Sequence, residues 1–238
     1  MCVETEFLGG KAHEGMAKAA MKILDEIKAQ LQLALKTYPG YKLYLTGHSL
    51  GGGVAVLMAM AIRNGEIQDC IPKNVAMVCK VFAAPPVFYS EKQESDLLTK
   101  DIEAYVQGSD CVPRFSLANV AEVLAMICAV DALDIPCRTT IEILKWREGR
   151  GTPNETIIQA FEQINHAMEE ACQAERMKEY CKLQPVGQLF YVSRSKTADA
   201  KMFKADKSFI MRYSIIHAVF IQNMLMVISL LGFCSWII

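Results

Sequence analysis

The sequence predicts an α/β fold: a mostly parallel sheet with helices on both faces and a helical insertion before its last strands. Three observations predict it. Tyr41–Thr46 alternates apolar and polar side chains, as a short strand does, and runs straight into a glycine-rich turn and an apolar helix. Val75–Phe82 (Val-Ala-Met-Val-Cys-Lys-Val-Phe) is almost wholly apolar, as a buried parallel strand is. Ile102–Gln107 reads as a third strand after a short polar stretch. Strand, helix, strand, helix, strand implies parallel pairing with right-handed crossovers.

The elements follow in order. Glu14–Lys36 reads as a helix, with Ala20, Ile23, Leu24, Ile27, Leu31 and Leu35 at three- and four-residue steps among Lys22, Asp25, Glu26, Lys28 and Gln32. Tyr38-Pro39-Gly40 ends it and turns into the first strand. After the glycines, Val54–Ile62 is apolar and rich in Ala and Met, which suits a buried helix, and Asn64-Gly65 supplies its stop. Ala83-Ala84-Pro85-Pro86 closes the second strand, and Glu91–Lys100 is a short polar helix or loop. From Phe115 the pattern turns helical: Leu117–Leu133, Thr140–Trp146, and Glu155–Lys182, the last with Ile158, Phe161, Ile164, Met168 and Cys172 on one face. Gly187–Ser193 returns as a strand, and Ser195–Lys207 reads as a solvated, Lys-rich connection. The expected organisation is a single domain over 1–238 with a helical insertion over 115–185, either a lid or a plain cap.

Composition narrows the function classes. A length of 238 residues suits one domain with a full core. A net charge of −1 gives no broad basic field for nucleic acid. The nine cysteines are scattered, with no Cys-x-x-Cys pair and no zinc-site spacing, so reduced thiols and no metal are expected. Glu4, Glu6 and Lys11 interrupt any apolar run at the start, which argues against a signal peptide and for a cytoplasmic setting. The 52% hydrophobic content concentrates at the end, where Ala218–Ile238 carries no acidic or basic residue. That segment is long enough to span a bilayer, or to form a buried final helix; Gln222-Asn223 would sit poorly in lipid.

The chemistry concentrates at Gly47-His48-Ser49-Leu50-Gly51, followed by Gly52 and Gly53. Between a strand and a helix, Gly-x-Ser-x-Gly is the nucleophile elbow of the α/β-hydrolases, which lifts a serine hydroxyl above the sheet edge. A Cβ at Gly47 or Gly51 is expected to crowd the turn, and Gly52 and Gly53 to let the helix pack close to its strand. A serine hydroxyl is a weak nucleophile without a histidine to take its proton and an acid to orient that histidine. The order in this fold is Ser, acid, His. His166 and His217 are the histidines after Ser49. His166 lies on the polar side of the insertion helix, whereas His217 follows the last strand. Asp110 ends a strand on the same sheet edge as Ser49, where catalytic groups of parallel sheets gather. Asp101 precedes a strand, and Asp131 and Asp134 lie in the insertion. The Leu50 amide would supply one oxyanion donor.

Three motifs in order resemble the class 3 lipases: Ala12-His13-Glu14-Gly15-Met16, Gly47-His48-Ser49-Leu50-Gly51-Gly52, and Asp110-Cys111-Val112-Pro113-Arg114. The diacylglycerol lipase branch is the nearer likeness, over residues 10–115 and more loosely over 185–225. The resemblance implies an α/β-hydrolase with Ser49, Asp110 and His217 as its triad. It makes His13 a structural residue, and His48 a variable one expected to pack beneath the serine. It implies acylglycerol substrates met at a membrane surface and no cofactor, with the protein peripheral or tail-associated. In that family a Thr or Ser on a strand upstream of these motifs completes the oxyanion hole, so a domain shortened at its N-terminus is expected. Two alternatives stand beside the lipase reading: an impaired lipase-like protein that binds lipid or a partner, and an esterase or peptidase for small substrates on the same fold.

Overall fold

The computed structural model describes residues 4–67, 71–72, 75–91, 96–108, 110–147, 149–176, 183–193, 201–207 and 210. The chain divides into two compact units, Met1–Leu117 with Cys181–Arg212, and Ala118–Tyr180 with Tyr213–Ile238.

In the first unit, β1 (Glu4–Phe7) and β2 (Gly10–His13) form an antiparallel hairpin that the sequence reading lacks. Its turn residues Leu8 and Gly9 have φ of 50° and 79°. Positive φ at both central positions gives the turn a twist that matches its strands. His13 ends β2 and caps α1 (Glu14–Thr37), its Nδ1 accepting the Met16 N–H at 3.4 Å. The structural role expected of His13 is therefore a helix cap. Met16, Ala17, Ala20 and Leu24 bury the face of α1, but Ile23 and Ile27, expected inward, are exposed. Residues 25–30 are exposed throughout, so the apolar period of α1 outruns the core it covers.

β3 (Leu43–His48) leads into α2 (Leu50–Asn64). Gly52 to Ile62 of α2 are all buried, as befits a helix apolar on every side. It packs against α1 and β3. Gly65, left-handed at φ 87°, ends it by donating to the Ala61 and Ile62 carbonyls, both at 3.1 Å. β4 (Met77–Phe82), β5 (Phe88–Tyr89), α3 (Asp96–Thr99) and β6 (Ile102–Gln107) follow.

The second unit holds α4 (Leu117–Asp131, which begins at its boundary), α5 (Cys137–Arg147) and α6 (Glu155–Arg176). Asn154 caps α6, its Oδ1 accepting the Ile157 N–H at 2.9 Å. The buried seam of α6 is Ile157, Ala160, Ile164 and Cys172, with Phe161 and Met168 at its margin. Ile158, expected on that seam, is exposed, because the inward stripe lies one residue round the helix from the one its largest side chains suggest. Trp146 meets Phe161 edge to face at 5.4 Å.

β7 (Gln188–Val192) and β8 (Met202–Ala205) return to the first unit. One sheet runs β1-β2-β5; the other runs β3-β4-β6-β7-β8, parallel except for β8. β8 lies within the stretch read as a loop. As an edge strand it needs one pairing partner and no buried face, so it carries no apolar alternation. Cys79, Val81, Ile102, Ala104 and Leu189 form the buried face of the large sheet. On its other face the rings of Phe82, Tyr105 and Phe190 stack at 5.2 and 5.1 Å. Beside them Glu103 Oε2 accepts the Tyr105 hydroxyl at 2.6 Å and pairs with Lys80 at 3.1 Å.

Candidate active site

Ser49 sits between the end of β3 and the start of α2 with φ 53° and ψ −127°. An L-residue seldom adopts that conformation, and it persists only where the surroundings hold it. They do so through the main chain. The Ser49 N–H donates to the Phe82 carbonyl at 3.0 Å, one strand over. The Ser49 carbonyl accepts the Gly52 and Gly53 N–H groups at 2.9 and 3.2 Å. The Leu50 N–H belongs to the first turn of α2, whose N–H groups have no intrahelical acceptor and lie at the positive end of the helix dipole.

The glycines divide the labour unequally. A Cβ on Gly47 would lie 2.7 Å from the Gly52 nitrogen and closer still to the Gly51 carbonyl. A Cβ on Gly51 would meet nothing within 4 Å, which corrects the expectation that both flanking glycines relieve crowding. The contact is one-sided because Gly47 faces the helix main chain, whereas Gly51 faces open space. Gly53 lets α2 approach α1 and the segment after β4, since a Cβ there would lie 2.6 Å from Met16 Sδ and 2.8 Å from Val87 Cγ1. A Cβ on Gly52 would lie 3.0 Å from Ala84 Cβ. His48 does not pack beneath the serine. Strand alternation turns Gly47 inward and leaves His48 exposed.

Asp110 lies beyond β6, so it shares with Ser49 the C-terminal edge of the parallel strands, with β4 between them. Its turn is fixed by the Asp110 N–H donating to the Gln107 carbonyl at 3.0 Å and by Asp110 Oδ1 accepting the Val112 N–H at 3.0 Å. That bond orients the carboxylate and leaves it acceptor capacity for an imidazole N–H. Val112–Arg114 forms a single 3-10 turn.

Arg114, not singled out from the sequence, is 1% exposed. An arginine is almost never so buried unless its donors are satisfied. Nε donates to the Ile210 carbonyl at 3.0 Å, one terminal nitrogen donates to the Gly108 carbonyl at 3.3 Å, and the other to the Asp110 carbonyl. Burial pushes the guanidinium below the ordinary arginine value, and the nearby Tyr191, Asp110 and Cys111 push it back up. Its place at the end of the Asp-x-Val-Pro-Arg segment, four residues after Asp110, is the signal the sequence carries for it.

His217 and the 218–238 segment lie outside the described residues. Among the described residues no helix is long and apolar enough to cross a membrane, and no group of three or more His, Cys, Asp or Glu could hold a metal. Asp101 is paired with Arg63 at the start of β6, the opposite strand end from Ser49. His166 is solvent-facing on α6, 3.4 Å from Glu170. Asp131 ends α4 and Asp134 lies in the turn after it.

A family model described as Lipase (class 3) matches residues 1–120, half of the chain. The chain belongs to the class 3 lipase family. This member is 30% identical to the diacylglycerol lipase-beta of Mus musculus over 124 residues, 51% of the chain and 17% of that protein. It is 38% identical to a lipase of Rhizomucor miehei over 58 residues, 24% of the chain and 16% of that enzyme. The chain thus spans about a sixth of the length of these curated relatives. Among solved structures it is similar to a lipase from Rhizopus microsporus var. chinensis at 24% identity and a TM-score of 0.41, covering 49% of this chain and 41% of that one. A triacylglycerol lipase with a serine-protease-type triad matches at 24% identity and a TM-score of 0.42, covering 50% of this chain and 46% of that one.

Proposed function

We propose that this class 3 lipase-family chain hydrolyses acylglycerol esters, diacylglycerol first among them, by a Ser49–His217–Asp110 triad. The observation that carries the reading is the backbone of Ser49, at φ 53° and ψ −127°, between a parallel strand and a buried helix. Strain of that kind is what a nucleophile elbow requires to raise its hydroxyl above the sheet edge. Similarity to a diacylglycerol lipase supports the substrate class.

Ser49 Oγ attacks the ester carbonyl carbon while its proton passes to the His217 imidazole. Asp110 orients that imidazole and balances its charge. The Leu50 N–H, at the positive end of α2, donates to the developing oxyanion. The tetrahedral intermediate collapses, His217 returns the proton to the departing alcohol oxygen, and the acyl group stays on Ser49. Water then attacks the acyl-enzyme by the same steps and releases the fatty acid. The apolar α4, with Leu117 and Leu124 exposed, supports a role for the insertion in covering an acyl chain at a membrane surface.

The test is labelling by a fluorophosphonate, then turnover. The parent chain is expected to label and Ser49→Ala not to; labelling that survives the substitution removes Ser49 as the nucleophile. Hydrolysis of diacylglycerol in mixed micelles, compared with triacylglycerol and a short-chain ester, then ranks the substrates. A folded protein inert toward all three would instead support lipid binding without turnover.

A further inference from the structure

Arg114 occupies an unusual position for a buried cation. The acceptors around its fork named above are main-chain carbonyls, and they come from two parts of the chain far apart in sequence. Gly108 and Asp110 belong to the turn after β6, whereas Ile210 lies 96 residues beyond Arg114. Gly108 is itself held to the sheet, its N–H donating to the Val192 carbonyl at 2.9 Å at the end of β7. The Ile210 N–H donates to the Asp206 carbonyl at 3.3 Å, just after β8. The guanidinium therefore joins the turn after β6, which Gly108 ties to the end of β7, to the segment that follows β8. In sequence, Ile210 is seven residues before His217.

A planar fork with fixed donor directions suits this task. It can bridge several carbonyls at set angles, while an ammonium is a single point that cannot reach them all. Removing it would leave carbonyl oxygens buried without partners. Burial lowers the guanidinium's own proton affinity, yet an arginine stays charged well above neutral pH, so the clamp persists across any assay range. The groups that face it are Asp110 and Cys111 in its own turn and Tyr191 on β7.

We propose that Arg114 is a positioning residue, whose fork fixes the main chain of the Asp110 turn, and through it the carboxylate, against the segment at Ile210. The inference rests on the proposed Ser49–His217–Asp110 triad. Arg114 touches no substrate; it acts through the acid. If Asp110 drifts from the imidazole, the base loses its stabilising charge and its apparent pKa falls. The acidic limb of kcat/KM, which reports that base in the free enzyme, would move to lower pH. A change in fold stability alone would not move it.

The experiment compares Arg114→Lys and Arg114→Gln with the parent chain and Asp110→Asn on a short-chain ester. Rates are normalised to sites titrated with fluorophosphonate, so that unfolded protein does not count. The expected result is kcat lowered about 10- to 100-fold in Arg114→Gln with little change in KM, a smaller loss in Arg114→Lys, and in both an acidic limb displaced toward lower pH. Rates and acidic limb equal to the parent's in either folded variant overturn the proposal. So does failure of both variants to fold, which would make Arg114 purely structural. A parent chain without Ser49-dependent turnover fails earlier and for a different reason, by removing the reaction itself.

Discussion

A Cβ on Gly47 would lie 2.3 Å from the Gly51 carbonyl oxygen and 2.5 Å from its carbon. The end of β3 and the start of α2 therefore meet main chain to main chain. Neither can yield, because the helix start is tied to the Ser49 carbonyl by the Gly52 and Gly53 N–H groups. This contact sets how sharply the chain reverses at Ser49.

Gly47→Ala should consequently be far worse than Gly51→Ala. Overpacking against fixed backbone costs up to about 3 kcal/mol. Alanine at position 51 meets open space and gains helix propensity, a change within about 1 kcal/mol. Urea unfolding of the two variants measures the difference. A Gly47→Ala protein as stable as the parent would show that the turn can open.

The strain at Ser49 should be recoverable as stability. Glycine tolerates φ 53° without a steric penalty, whereas alanine keeps the Cβ that clashes. Ser49→Gly should therefore unfold at higher denaturant than Ser49→Ala by about 1 kcal/mol, although glycine elsewhere is the less stable choice by about 0.5–1 kcal/mol. Neither should react with a fluorophosphonate. The reverse order of stability would mean that the backbone at 49 carries no strain.

The large sheet and its helices were legible because their signals are local. Ile102–Gln107 matches its predicted bounds, and the helix before β3 differs by a residue at one end. What escaped was pairing between partners distant in sequence. β1 and β2 are polar enough to read as coil, and β8 exists through its ladder with β7, Val192 opposite Met202. At the site, Ser49 and Asp110 could be read from motifs at strand ends. The Asp110 motif also contains Arg114, but its role could not be read there, since it depends on Ile210, a contact that no short pattern encodes.

Arg63 and Asp101 form an ion pair whose side chains are only 7% and 18% exposed, and Arg63 also donates to the Val75 carbonyl at 2.9 Å. The pair ties the end of the elbow helix to the start of β6, away from the chemistry. Breaking a buried pair from one side strands a charge, at a cost of about 3 kcal/mol. Asp101→Asn and Arg63→Met should each approach that loss, and the double variant should lose at least 1 kcal/mol less than their sum. Strict additivity in denaturant unfolding would mean that the two side chains do not depend on each other.

Cys79, on the buried face of β4, gives the fold an alkaline limit. Its thiol lies 3.6 Å from the Ala55 carbonyl, and burial, helped by Asp101, pushes its pKa up from 9.0 to about 12. The unfolded chain ionises this thiol above its ordinary value while the folded chain keeps it protonated. The unfolded state then binds fewer protons, so stability falls as pH rises. The contribution is complete below the unfolded value and is lost as pH climbs toward the folded one, at about 1.4 kcal/mol per pH unit. Cys79→Ala removes that linkage at the expense of a small cavity. Between pH 8 and pH 10.5 the parent should lose about 2 kcal/mol more than Cys79→Ala, a difference of differences from which the cavity and the other thiols cancel. Equal losses in the two proteins would mean that Cys79 ionises as readily in the folded chain as in the unfolded one.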